Sequence, residues 1–151
     1  MTSDPSPMNL NVAAVLAHKG HEVCTIDPEA TILDALKAMA ADNVGALVVV
    51  EGEQVAGLIS EREYARAVEL QGRSARDTRV RAIMLTALPR VSPQTSIAVC
   101  MALMTEHRVR HLPVMSGDEL VGLVSIGDLV AAVIRDQAKL IEQLEHYIAS
   151  G

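Results

Sequence analysis

Leu120-Val121-Gly122-Leu123-Val124-Ser125-Ile126-Gly127-Asp128 is the stretch that decides the fold. It reads as a short apolar strand that ends at a serine and passes at once into a helix with a carboxylate in its first turn. The first turn of a helix has N–H donors without intrahelical partners and partial positive charge, which suits a phosphate. Ser125 adds a hydroxyl there, and Asp128, one turn on, suits two ribose hydroxyls. The same order of residue types stands earlier as Val55-Ala56-Gly57-Leu58-Ile59-Ser60-Glu61-Arg62-Glu63. Ser-x-x-Asp and Ser-x-x-Glu at a helix start also make a capping box with no ligand at all, and the four residues alone leave both readings open.

The recurrence extends well beyond these motifs. A shift of 65 positions, from Ser60 to Ser125, also lays Pro28 on Pro93, Ile32 on Ile97, Leu47 on Leu112, Gly52 on Gly117 and Gly57 on Gly122. Turn glycines and apolar positions of every element match without a gap, so the chain is an internal repeat. Each copy reads strand–helix–strand–strand–helix. In the first, strands are expected over 22–26, 46–50 and 54–60, and helices from Thr31 and over 61–70, the first with a reciprocal cap by Asp34. Units this small rarely bury enough surface alone, so two should pack together. A leading helix is expected over 11–20 with Gly20 as its stop. The last helix, from Ile126, is expected to continue to Ile148, and its stripe of Leu140, Ile141, Leu144 and Ile148 lies beyond the repeat. That stripe fits either a contact with a second copy or packing back on its own domain.

The 151 residues are 50% hydrophobic, enough for a sizeable core, and that core is aliphatic because the only aromatic residues are two tyrosines. Without stacking platforms, and with a net charge of −6, the chain is a poor partner for nucleic acid. No apolar run reaches membrane-spanning length, and the start reads as a flexible tail over 1–10 without the marks of a signal peptide. Cys24 and Cys100 fall within apolar patterns and read as buried reduced thiols, which implies a cytoplasmic protein. The histidines are scattered along the chain and no metal site is expected, nor, without a spanning run, a membrane contact.

The doubled set Ala46-Leu47-Val48-Val49-Val50…Val55 to Tyr64 and Arg110-His111-Leu112-Pro113-Val114…Leu120 to Leu129 resembles tandem cystathionine β-synthase (CBS) domains, a Bateman module. The likeness covers about residues 22–136 and is nearest to small stand-alone bacterial members. It implies an α/β fold of two β-α-β-β-α repeats, over 22–79 and 80–136, packed as a pseudo-twofold pair. A C-terminal helix extension over 137–151 and a homodimer are further expectations. The implied ligand is an adenine nucleotide, AMP first, with ADP, ATP, NAD and S-adenosylmethionine as alternatives.

Carried onto this sequence, the resemblance gives phosphate to Ser125 and Ser60 and ribose to Asp128 and Glu63. It frames adenine with Thr25, Ile26 and Ala46 in one copy and Val91 and His111 in the other, and sends Arg110 and His111 to phosphate. Glu63 departs from the family's Asp by one methylene, which makes Ser125 and Asp128 the preferred site. The expected function is a non-catalytic sensor that signals to an unidentified protein partner. The alternative is a structural or protein-interaction module with a vestigial cleft. No nucleophile beside a base and no paired carboxylates suggest an enzyme.

Overall fold

The computed structural model describes residues 10–150, so the tail expected over 1–10 lies, except for Leu10, outside the described residues. The elements run α1 (Val12–Lys19), β1 (Thr25–Ile26), α2 (Ile32–Asp42), β2 (Ala46–Glu51), β3 (Gln54–Ser60) and α3 (Glu61–Tyr64). A π-helical segment (Ala65–Leu70) extends α3, and a 3₁₀ turn (Val80–Ala82) lies in the linker. The second copy supplies α4 (Ile97–His107), β4 (His111–Ser116), β5 (Glu119–Ser125) and α5 (Ile126–Ser150).

Local chemistry accounts for the helix boundaries. Asn11, Thr31 and Ser96 accept backbone N–H bonds as N-caps of α1, α2 and α4, and the Thr31–Asp34 box closes reciprocally. β2 and β3 pair antiparallel, as do β4 and β5, and both pairs bulge at the same place, Val49/Val50 and Val114/Met115. Equal bulges at equal positions are the structural form of the repeat.

Two expectations are corrected. The strand over 22–26 reduces to Thr25–Ile26, parallel to β2, and its counterpart in the second copy is a single bridge from Val91 to Val114. Asp27–Pro28 ends β1, because proline cannot donate to a ladder. The helix over 61–70 is α-helical only to Tyr64 and then widens, with Gln71 N–H donating to the Arg66 carbonyl, five residues back, at 3.1 Å. An apolar period near 3.6 does not encode such a change of winding.

Packing does not follow the sequence boundaries of the repeats. Val12, Val15 and Leu16 of α1 are buried with Ile97, Cys100, Leu112 and Leu129 of the second copy. Val80 of the linker, with Ile83 and Met84 against it, packs instead on Ala35, Met39, Leu47 and Ile59 of the first copy. Each copy is thus completed by the segment that precedes the other. The two sheets meet face to face through Ala46, Val48, Val55 and Leu58 against Met115, Leu120 and Leu123. The fold is a mixed α/β pair of repeats with a long C-terminal helix.

Gly57 shows how tightly the linker seats on β3. Leu58 exchanges backbone hydrogen bonds with Leu85, at 2.9 and 2.8 Å, and a Cβ on Gly57 would lie 2.6 Å from the Leu85 carbonyl oxygen. Backbone cannot yield as a flexible side chain would. Gly57→Ala should therefore lower stability by roughly 1–3 kcal/mol, the usual range for overpacking, in thermal or urea melts.

Candidate functional site

Face-to-face packing leaves two clefts on the seam between copies. Each takes the strand-to-helix corner of one copy and the start of the second strand of the other. The first, about 200 Å³, has Ser60 to Glu63 on one wall and Arg108 to His111 on the other, with Leu58 and Leu85 at its base. The second, about 300 Å³, has Ser125 and Asp128 facing Asn43 to Ala46, with Lys19, Val23 and Cys24 alongside.

In the first cleft Glu63 Oε1 accepts from the Ser60 N–H at 2.8 Å and from the Ser60 hydroxyl at 2.7 Å. In the second, Asp128 Oδ2 accepts from the Ser125 N–H at 2.8 Å, and Ser125 Oγ accepts from the Asp128 N–H at 3.1 Å. The extra methylene of Glu63 therefore costs the cap nothing, since both carboxylates reach the same backbone donor at the same distance. The two corners differ in their cations. Arg62 spans the first cleft and donates to the Arg108 carbonyl at 2.8 Å, with Arg110 beside it. Asp128 is instead paired with Lys19 at 2.5 Å, and Lys19 also donates to the Leu123 carbonyl at 2.6 Å.

Among the sequence-predicted residues, Ser60, Glu63, Arg110 and His111 share the first cleft; Ser125, Asp128, Ala46 and His111 share the second. Arg110 thus faces Ser60 rather than Ser125, because each cleft is closed by the opposite copy. Thr25, Ile26 and Val91 line neither of the two: Val91 is buried in the second core, Ile26 packs on the first, and Thr25 is exposed. Val23 and Cys24, just before them, line the second cleft instead, and Cys24 is only half-buried.

Sequence reasoning missed Arg108 and Lys19. Arg108 has a positive φ of 55° at the C-cap of α4, where Asn43 stands in the first copy with φ 51°. Gly or Asn is the easy residue there, so an arginine at the equivalent of Asn43 was a legible anomaly. Lys19 had no such signal, because it lies on the leading helix outside the repeat.

Burial lowers the proton affinity of His111 below the usual imidazole range; Lys19 and Arg110 lower it further, while Asp128 opposes them. For Asp128, burial alone would raise the carboxyl, but bonds from Lys19 and Ser125 outweigh it and hold the group below the ordinary carboxylate range. Among the described residues no three His, Cys, Asp or Glu side chains gather as a metal-holding group. No helix among them is long and apolar enough to cross a membrane.

The CBS domain family matches this chain twice, over residues 16–70 and 80–135. The chain belongs to the CBS-domain family. A mitochondrial relative from Arabidopsis thaliana, the CBS domain-containing protein CBSX3, is 45% identical over 85% of the chain. The chain spans 64% of that relative's length. A CBS-domain protein from Burkholderia ambifaria MC40-6 is 48% identical, with a TM-score of 0.78 over 83% of this chain and 94% of that one. The CBS domain pair of protein MJ0100, solved with 5′-methylthioadenosine and S-adenosyl-L-methionine, is 18% identical and shares the fold. Its TM-score is 0.70, over 80% of this chain and 93% of that one.

His111 touches both clefts of this CBS pair, so its charge state bears on each. A histidine held neutral in the fold opposes folding once the unfolded chain can take up a proton. Its contribution to stability therefore falls as pH drops through the unfolded value of about 6.5 toward the lower folded one. His111→Gln should lose less stability than wild type between about pH 7.5 and 5.5, read as the difference in Tm between the two.

Proposed function

We propose that this CBS pair is a non-catalytic regulatory module that senses an adenosine-containing ligand in its inter-copy clefts. One observation carries the reading: each cleft joins the capped helix corner of one copy to the strand start of the other. A ligand seated there touches both copies, so its affinity depends on their relative arrangement. That dependence is the differential binding that a switch requires.

In the first cleft the ribose falls to Glu63, phosphate to Arg108 and Arg110 with Ser60, and the base to the apolar floor of Leu58 and Leu85. The guanidiniums favour a phosphate-bearing ligand, with AMP, ADP, ATP and NAD as the candidates. They disfavour S-adenosylmethionine, whose sulfonium is cationic. The ligand pair held by MJ0100 guides the choice of probes only, since that likeness extends to the fold. The cation-rich first cleft takes precedence over the Ser125–Asp128 corner that the sequence favoured, because Asp128 already has a lysine partner.

The output passes to a protein partner. The exposed face of Ile141, Leu144 and Ile148 on α5 is the proposed contact for a second copy, and a cytoplasmic setting belongs to the same reading. A second reading rests on the caps themselves: both carboxylates are already spent on helix ends. Under it the chain is a structural or protein-interaction module, and no adenosine ligand alters its melting.

A melting panel with AMP, ADP, ATP, NAD and S-adenosylmethionine decides between them. Ligand at about one hundred times Kd should add roughly 2.7 kcal/mol of stability. Glu63→Ala and Asp128→Ala should each cost about 1 kcal/mol through the lost cap, with or without ligand. Glu63→Ala should in addition abolish most of the shift produced by the phosphate-bearing ligands. A flat panel for the wild-type chain would instead favour the interaction module.

A further inference from the structure

We infer that Lys19 is a built-in competitor for the second cleft, an intramolecular cation that keeps Asp128 occupied until a ligand hydroxyl replaces it. This rests on the sensor reading above and assigns the regulation of one of its two sites. The Lys19 ammonium sits within the cleft, on Asp128 Oδ2 at 2.5 Å and on the Leu123 carbonyl at 2.6 Å. The lysine and aspartate side chains keep only 31% and 25% of their exposure, so the pair is partly shielded from water. A partly shielded charge pair is displaced only by a ligand that returns comparable bonds to the carboxylate.

The first cleft has no such occupant. Among the described residues Glu63 is in no ion pair, and the segment that reaches this cleft from the linker brings Leu85 rather than a cation. Both acids accept the strand-end N–H at 2.8 Å, but Glu63 takes the Ser60 hydroxyl as its second donor where Asp128 takes an ammonium. The helix that carries Lys19 cannot swing to release it. Val12, Val15 and Leu16 are at most 1% exposed and fix α1 in the second core. The movable part is the lysine side chain alone, a flexible stem with a point charge at its end.

A ligand that enters the second cleft must therefore break the Lys19–Asp128 pair before its ribose can bond the carboxylate. The two clefts fill in order, the first at lower concentration and the second only after the lysine has been displaced.

Isothermal titration with AMP on the full chain tests this, in wild type, in Glu63→Ala to silence the first cleft, and in Glu63→Ala combined with Lys19→Met or with Lys19→Gln. Lys19→Met keeps the aliphatic stem, and Lys19→Gln keeps a donor for the Leu123 carbonyl, so at least one folded variant is expected from the pair. Removing the ammonium should tighten AMP at the second cleft on the order of tenfold, what displacing one charge-assisted hydrogen bond is worth. 2′-Deoxy-AMP, which lacks one of the two ribose hydroxyls, should gain less. Unchanged or weaker AMP binding in both variants, with wild type still binding at the first cleft, overturns the competitor and leaves the sensor standing. Absence of AMP binding from wild type and from every variant overturns both.

Discussion

The arrangement depends on one exchange of backbone hydrogen bonds. Ile97 N–H, at the start of α4, donates to the Leu10 carbonyl at 2.7 Å; Ile32 N–H, at the start of α2, donates to the Thr78 carbonyl at 2.9 Å. Val12 and Val80 return the gesture to Thr95 and Ala30, at 2.9 and 2.8 Å. The first N–H groups of a helix have no partners within it, and these are met by the segment that leads into the opposite copy. Side-chain caps meet part of each helix start, but the remaining N–H groups and the core of each copy are completed by the exchanged segment. Two units of this size, each too small to bury enough alone, are thereby tied into one body.

The clefts follow from that tie. Once the sheets face each other through Val48, Leu58, Met115 and Leu123, the strand starts of one copy lie opposite the helix corners of the other. His111 falls between the two clefts because β4 begins at the seam, and its burial there keeps the ring neutral. Arg108 completes the first cleft in a left-handed backbone conformation that a side chain adopts at some cost. The Arg62 guanidinium, bonded to the Arg108 carbonyl across the seam, holds that turn in place. Three guanidiniums, of Arg62, Arg108 and Arg110, gather at the first cleft.

The repeat, both capped corners and every strand except the first of each copy could be read from the residues. Their signals are local: alternating or continuous apolar runs, turn glycines, and Ser-x-x-acid spacing. What escaped is what depends on the partner copy. The resemblance placed adenine near Thr25, Ile26 and Val91, yet the short first strands turn Ile26 and Val91 into the cores. A one-dimensional pattern also could not say that Arg110 would face Ser60, because that pairing arises only when two sheets close on each other. As a cap, Glu63 with its longer side chain reaches the same backbone donor that Asp128 reaches.

The unlike character of the two clefts has its origin outside the repeats. The leader and the linker dock through equivalent bonds: Ala13 N–H to the Pro93 carbonyl at 2.8 Å, and Arg81 N–H to the Pro28 carbonyl at 2.9 Å. Beyond that shared anchor their paths diverge. The leader stays helical to Lys19 and delivers an ammonium to Asp128. The linker makes one 3₁₀ turn and then extends, pairing Leu85 with Leu58 and laying an apolar side chain at the base of the first cleft. The repeat sets two acids on equivalent strand-end N–H groups, and the helical or extended state of a few exchanged residues decides which acid carries an ammonium.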